Sequence, residues 1–371
     1  MVRVLVMTVA HPPGDARIAH RQIKALLEAG HEVTYAAAFR ATGTTAPSGV
    51  RAIDLPLSRG GLLRRIPAVL AAMGVVLRER GRHDLVLVHD PELLPALGAA
   101  RLPGRRRPAA VWDVHEDVPA QVAMLELPAW VKRPTARLIH MAELVAERWF
   151  HLMVAESAYL QRFRRAHPFV PNSVRVPAGG PWPAEPEPRV VYLGSLTWRR
   201  GAREIIALAR LVPEMRVEVI GNAKDDVAQA LAEAARELPN LVFAGFVPND
   251  AALRRLPGAL AGLSLLHDEP NYAHSEPTKV MEYMAHAVPT ITTPNEASRT
   301  LVETTGCGEV VGYGDVAAAA DILRRWDGDR PERDRLAARA YAAASERDWA
   351  VDGSRFARVL ADWATSDSRG G

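Results

Sequence analysis

The stretch Val176–Pro188, VPAGGPWPAEPEP, places five prolines and two glycines in thirteen positions, with a further proline at Pro171. Proline removes a backbone donor and locks φ, so neither a helix interior nor an inner strand can run through such a segment. It reads as a linker, and the same rhythm of short apolar strands and amphipathic helices runs on both sides of it. At 371 residues the chain is long enough for two cores of ordinary size. The expected organisation is a first unit over 1–176, a linker over 177–188 and a second unit over 189–348. A last helix and tail over 349–371 carries apolar residues at 349, 356, 359, 360 and 363, a helical spacing that would pack back towards the first unit.

In the first unit the apolar runs Val2–Val9, His31–Ala36, Leu85–Val88 and Ala110–Val114 read as strands buried on both faces. The stretch Ala16–Ala29 between the first two reads as a helix capped by Gly30. After the linker, strands are expected at 190–193, 217–220, 241–243, 263–266 and 289–292, with helices near 202–210, 225–237 and 249–257. Such alternation predicts an α/β chain of two Rossmann-like domains whose parallel sheets face a central cleft. Ligands of such sheets bind beyond the carboxyl ends of the strands.

Composition narrows the function classes. A single cysteine, Cys307, rules out a disulfide framework and suits a reducing cytosol. The opening Met1–Val6 reads as a strand rather than a leader, and the apolar run Ile66–Leu77 is too short to span a bilayer. Net charge is only +3, yet residues 51–110 hold eleven arginines against five acids. That excess reads first as a solvated face, and it also fits peripheral contact with an anionic membrane. Aromatic residues are not interleaved with these arginines, which counts against nucleic acid.

Three stretches carry candidate chemistry. In YLGSLTWRRGAREII (192–206) a strand ends at Leu193, Gly194 opens a loop, and Arg199 and Arg200 stand before a helix near Ala202, a phosphate-binding pattern. In HSEPTKVMEYMAHAVPTITT (274–293), Ser275 and Thr278 can cap a helix that begins near Pro277. Lys279 then lies in the first turn, where the helix dipole disfavours a cation unless an anion is bound, and Glu282 follows on the same face. This spacing suits a lysine on a phosphate and a carboxylate on paired sugar hydroxyls. In VWDVHEDVP (111–119), His115 stands just past a strand end beside Asp113, Glu116 and Asp117, where it can orient a reacting group. No second histidine stands at ligand spacing from it, and no Asp-x-Asp element is present, so neither a metal nor a bound cofactor is expected. The loop HPPGDAR (11–17) offers Gly14, Asp15 and Arg17 as contacts to an acceptor, with Asp15 equally readable as an N-cap. His83, His89 and His267 read as strand-end or surface histidines, and Cys307 as inert. There is no Gly-x-Ser-x-Gly elbow, Walker lysine or Gly-x-Gly-x-x-Gly after the first strand.

Taken together, HPPGDARIAHRQIKALLEAGHEVT, DVHEDVP, VPNSV, YLGSLTWRRG, VFAGFV and SEPTKVMEYMAHAVPTI resemble the retaining GT-B glycosyltransferases of family 4 nearly end to end. The resemblance implies transfer of a sugar from a nucleotide-diphosphate donor, uridine by default, to a glycan, lipid-linked or small natural-product acceptor. It implies that His115 lies beside the transferred sugar, that Arg200 and Lys279 grip the diphosphate with Thr278, and that Glu282 binds the ribose. The backbone at Gly245, Phe246 and Val247 would hold the base, and Asn172 would close the first domain. Ser275 and Glu276 fall in the donor-side loop. The sequence departs from the family pattern at Ser195, where an arginine is frequent, and in the register of His274 and Glu276. It departs again at Ala287, where a helix-ending glycine is usual. A non-hydrolysing sugar-nucleotide 2-epimerase and a non-catalytic sugar-nucleotide binder are the rival readings.

Overall fold

The computed structural model describes residues 1–58, 62–104, 106–116, 118–119, 122, 128–269, 272 and 277–369. Its contacts divide the chain into two compact units, Met1–Asn172 with Ala350–Gly371, and Ser173–Trp349.

The first unit holds β1 (Arg3–Met7), a π-helical run Ala16–Ile23 that continues as α1 (Lys24–Glu28), β2 (Glu32–Ala37), β3 (Val50–Asp54) and α2 (Leu62–Glu79). Then come β4 (Leu85–Val88), α3 (Leu94–Ala100), β5 (Ala109–Val114), α4 (Ala129–Trp149) and β6 (His151–Val154). The six strands are parallel in the order β3-β2-β1-β4-β5-β6. β4 and β5 are buried throughout and β1 from Val4 onward, the pattern of covered strands in a parallel sheet.

The second unit repeats the plan with β7 (Arg189–Leu193), α5 (Ala202–Leu211), β8 (Arg216–Ile220), α6 (Asp225–Glu237) and β9 (Leu241–Gly245). It continues through α7 (Asn249–Leu253), β10 (Ala261–Ser264), α8 (Thr278–Ala285), β11 (Thr290–Thr292), α9 (Glu296–Thr305) and β12 (Gly308–Val310) to α10 (Val316–Gly328) and α11 (Arg330–Ser345). Its sheet order, β12-β11-β10-β7-β8-β9, is the first order read from the other edge. In both units the order reverses between the first and fourth strands, so each sheet has a switch point where backbone ends splay apart.

The proline-rich segment is packed within the second unit rather than spanning free. The Tyr341 hydroxyl donates to the Pro177 carbonyl (2.7 Å), Glu185 pairs with Arg189 (2.8 Å), and Trp182 lies edge-on to Tyr341. The last helix, α12 (Trp349–Arg369), joins the first unit over most of its length. Asp367 accepts from Arg101 (2.5 Å) and His151 (3.2 Å), and Trp363 stacks on His151. No described helix is long and apolar enough to cross a membrane. Strands β3, β6 and β12 are additions to the sequence reading. The first has no fully buried residue, and the last is a three-residue strand of mixed polarity, so neither gives a buried apolar run.

Candidate functional site

Beyond the carboxyl ends of β1, β4 and β5 the first unit gathers His11, Asp90, Asp113, His115 and Glu116. Asp113, fully buried, accepts both edges of the Arg17 guanidinium (2.7 and 2.8 Å) and the Gln22 amide (2.8 Å). The remaining Arg17 nitrogen donates to Asn172 (2.8 Å). Arg17 is therefore committed to the end of the sheet and not free to meet an acceptor. Although burial opposes the Asp113 charge, Arg17 holds its carboxyl well below the usual carboxylate range. Asp15 caps the π-helical run, its Oδ1 accepting from the N–H groups of Arg17 and Ile18, while Gly14 is exposed beside it.

A histidine pair lies at the centre. His115 Nδ1 donates to the Asp113 carbonyl (3.1 Å), leaving Nε2 as an acceptor 3.2 Å from His11 Nε2. His11 Nδ1 faces Asp90 at 2.6 Å, and its Nε2 also meets Glu116 Oε1 at 3.2 Å. Burial works against the imidazolium of His11, but the hydrogen bonds to Asp90 and Glu116 prevail and raise its pKa to about 10. The partner histidine that no local spacing revealed is thus supplied from 104 residues away in sequence. The donor atoms of His11, His115 and Glu116 lie within 4.8 Å of one another, close enough for one cation. In this cluster a proton on His11 already joins all three. His89 does follow a strand, as expected, but it is buried to 1 % exposure rather than on the surface. Because Gln22 gives its amide N–H to Asp113, its oxygen accepts from His89 Nε2 (2.7 Å), and burial pushes His89 down to about 4.

In the second unit the corresponding edge is built on close backbone approaches. Gly194, Gly221 and Gly245 end or follow β7, β8 and β9. Gly221 sits at φ +142°, and a Cβ there would fall 2.2 Å from the Gly194 carbonyl oxygen. Phe246 is exposed and Val247 half-buried beyond β9. Gly201 ends the short 3₁₀ turn Trp198–Arg200 at φ +92°, and a Cβ there would meet the Leu265 oxygen at 2.5 Å, so the arginine loop closes tightly over β10. Arg199 points to Glu269 (3.3 Å), whereas Arg200 turns back to donate to the Ser195 carbonyl (3.1 Å). The residue departing from the family pattern therefore orients Arg200 through its backbone.

Helix α8 is held by Tyr283. Its ring fills the space where a Cβ on Gly262 would stand, and its hydroxyl accepts from Leu193 N–H (2.9 Å) and donates to the Leu263 carbonyl (3.1 Å). One turn earlier Lys279 projects over the Tyr192 ring, Nζ 3.9 Å from the centroid. Nζ is buried and makes no hydrogen bond among the described residues. Burial, with Arg200 adding like charge, lowers its pKa to about 7, against a smaller attraction from Glu282 on the same helix. Thr278 is the first helical residue and Pro277 precedes it without a side-chain cap. His274, Ser275 and Glu276 lie outside the described residues, as does Asp117. Ala287 adopts φ +56°, the left-handed conformation that favours glycine. Sequence reasoning missed His11, Asp90 and Gly221; a Gly directly after an apolar strand was the one available signal, for Gly221.

Residues 182–343 match the family described as glycosyl transferases group 1. No curated protein matches the chain by sequence. Among solved structures, WaaG, a glycosyltransferase involved in lipopolysaccharide biosynthesis, aligns at 17 % identity and TM-score 0.68 over 96 % of this chain and 99 % of its own. The sucrose-phosphate synthase of Thermosynechococcus elongatus aligns at 14 % identity and TM-score 0.73, covering 99 % and 100 %. Anabaena HepE in complex with UDP-glucose aligns at 16 % identity and TM-score 0.68, covering 98 % and 100 %. With two parallel six-stranded sheets flanked by helices, the chain has the GT-B fold of these structures, and its residues 182–343 match the glycosyl transferases group 1 model.

Proposed function

We propose that the chain is a retaining glycosyltransferase of family 4. It moves a hexosyl group from a nucleotide-diphosphate sugar, UDP-linked by default, to a hydroxyl of a glycan, glycolipid or natural-product acceptor. One observation carries this reading: Lys279 Nζ is buried without a hydrogen-bond partner among the described residues, beside Arg200 and at the start of α8. A buried cation facing another cation is costly unless an anion belongs between them. A diphosphate fits, because it offers oxygens to both side chains and to the first amides of the helix.

On this reading Lys279 and Arg200 neutralise the charge that grows on the leaving diphosphate. Thr278 adds a contact at the helix start, and Glu282, one turn along α8, accepts from the ribose hydroxyls. The glycine crest of Gly194, Gly221 and Gly245 admits the nucleotide close to backbone, with the base held at Phe246 and Val247. The first unit takes the acceptor, and His115, oriented by Asp113 and His11, polarises the reacting sugar. The two side-chain cations supply the charge compensation, so the transfer is metal-independent and turnover is unchanged by a chelator. HepE, crystallised with UDP-glucose, supports the choice of donor class.

The test is a melting-temperature panel with UDP, GDP, dTDP and ADP, followed by turnover with the matching nucleotide sugar. A stabilising nucleotide whose effect disappears in Lys279→Ala supports the assignment. Stabilisation that survives Lys279→Ala removes it. Conversion of the nucleotide sugar without any acceptor favours the 2-epimerase instead, and binding without turnover across acceptors favours the binder.

A further inference from the structure

Helix α4 of the first unit (Ala129–Trp149) turns an apolar stripe outward. Trp130 is 79 % exposed, Leu138 71 %, Trp149 62 %, and Met141 and Val145 are also exposed. On a helical wheel these five positions and Pro134 fall within about a third of the circumference. Helices that face water do not normally present two tryptophans and three aliphatic residues on one stripe.

The charges of α4 are sorted. Its two acids are buried: Glu143 pairs with Arg162, while Glu147 accepts from His167 (2.9 Å) and from the backbone N–H groups of Arg164 and Arg165. The exposed charges of the helix are Arg133, Arg137 and Arg148, and all three are cationic. A second apolar stripe adjoins the first. Ile66, Leu70 and Leu77 of α2 are exposed, and a mainly apolar cavity of about 490 Å³, walled by side chains such as Ile66, Leu70 and Ile139 and also touched by Arg65, Glu92 and Glu143, lies where α2, α3 and α4 meet. By contrast, the arginine excess at 51–110 is largely consumed within the unit. Arg51 and Arg82 reach Glu79, Arg65 reaches Glu92, Arg101 reaches Asp367, Arg106 reaches Asp84, and Arg80 donates to carbonyls.

We propose that the α4 face, continued by the outer stripe of α2, docks in the plane of an anionic lipid bilayer. The apolar stripe sinks to the level of the acyl chains, the two tryptophans sit at the headgroup boundary, and Arg133, Arg137 and Arg148 meet lipid phosphates. Charge complementarity selects this occupant: an outward face whose exposed charges are cations and whose acids are buried matches a continuous anionic surface. The cavity gives the edge of that face a place for an acyl chain. The proposal stands whether or not the donor assignment above holds.

The test is flotation of the full chain with vesicles of phosphatidylcholine alone and of phosphatidylcholine mixed equally with phosphatidylglycerol. Wild type is expected to float with the anionic vesicles only. Trp130→Ser/Trp149→Ser and Arg133→Glu/Arg137→Glu/Arg148→Glu are each expected to weaken that partitioning by about tenfold or more. Both variants change exposed positions, so circular dichroism and a cooperative melt matching wild type establish that they fold. Absence of binding to anionic vesicles, or binding unchanged in both variants, overturns the proposal. So does a wild-type dimer, measured without lipid, that Trp130→Ser/Trp149→Ser dissociates, because the face would then belong to a second copy.

Discussion

The two units share one strand order and place polar residues at the same edge of the sheet, yet they treat charge in opposite ways. In the first, Asp90 and Glu116 meet His11 while Asp113 meets Arg17 and the Gln22 amide, so each of these three carboxylates has a cationic partner. In the second, Lys279 and Arg200 face each other's like charge, with Glu282 a weaker counterweight, and Nζ has no hydrogen-bond partner among the described residues. A self-neutralised edge stabilises its own sheet. An edge left cationic is complete only with an anion. On the function proposed above, the same architecture neutralises its own charge in the half assigned to the acceptor and leaves a cation for the donor diphosphate in the other.

The largest expected effect breaks the neutralised half. Asp113→Ala strands the buried Arg17 guanidinium and should cost about 3–5 kcal/mol in urea unfolding. A loss under about 1 kcal/mol would show that the pairing contributes little. Next comes the cationic half: Lys279→Met or Arg200→Ala should lower turnover at least about tenfold, roughly 1.4 kcal/mol or more of transition-state stabilisation, read from kcat/KM. Yet Lys279→Met should make the ligand-free chain more stable, because it removes a cation that folding desolvates.

Alkaline pH sharpens the contrast, with opposite signs. His11 is raised to about 10, so between its unfolded value near 6.5 and about 10 the native state holds the extra proton. Its stabilisation is fully present below 6.5 and is lost as pH rises through 10. Lys279 is lowered to about 7 from 10.5, so over that window the unfolded state holds the extra proton. Its penalty is full below 7 and disappears towards 10.5. Urea unfolding at about pH 6 and about pH 9 should show the destabilisation by His11→Gln shrinking with pH and the stabilisation by Lys279→Met also shrinking. If either effect instead grows with pH, the corresponding charge state is misassigned. Donor binding should be linked in the same way: affinity for UDP-glucose, by calorimetry, should fall as pH rises above about 7, because a bound diphosphate requires the lysine protonated. The smallest effect concerns Ala287: Ala287→Gly relieves the left-handed strain and should raise stability by up to about 1 kcal/mol, checked by melting.

Much of this was legible locally. Val4–Met7, Leu85–Val88 and Val190–Leu193 are apolar runs whose only low-energy place is the middle of a covered parallel sheet, and they lie there. Lys279 in a first helical turn already conflicted with the helix dipole. The His11–His115 contact was not legible, because its partners are 104 residues apart and come together only when β1 and β5 join one sheet. Nor was the commitment of Arg17, whose acid lies 96 residues away.

What the chain's order of residues determined was the repetition of strand and helix, the places where glycine and proline end it, and which side chains could carry charge at strand ends. These depend on period and on backbone sterics, both local. Only the tertiary structure decided which of those charges are cancelled. Cancellation depends on distance in space and on exclusion of water, and neither exists until the sheets have formed.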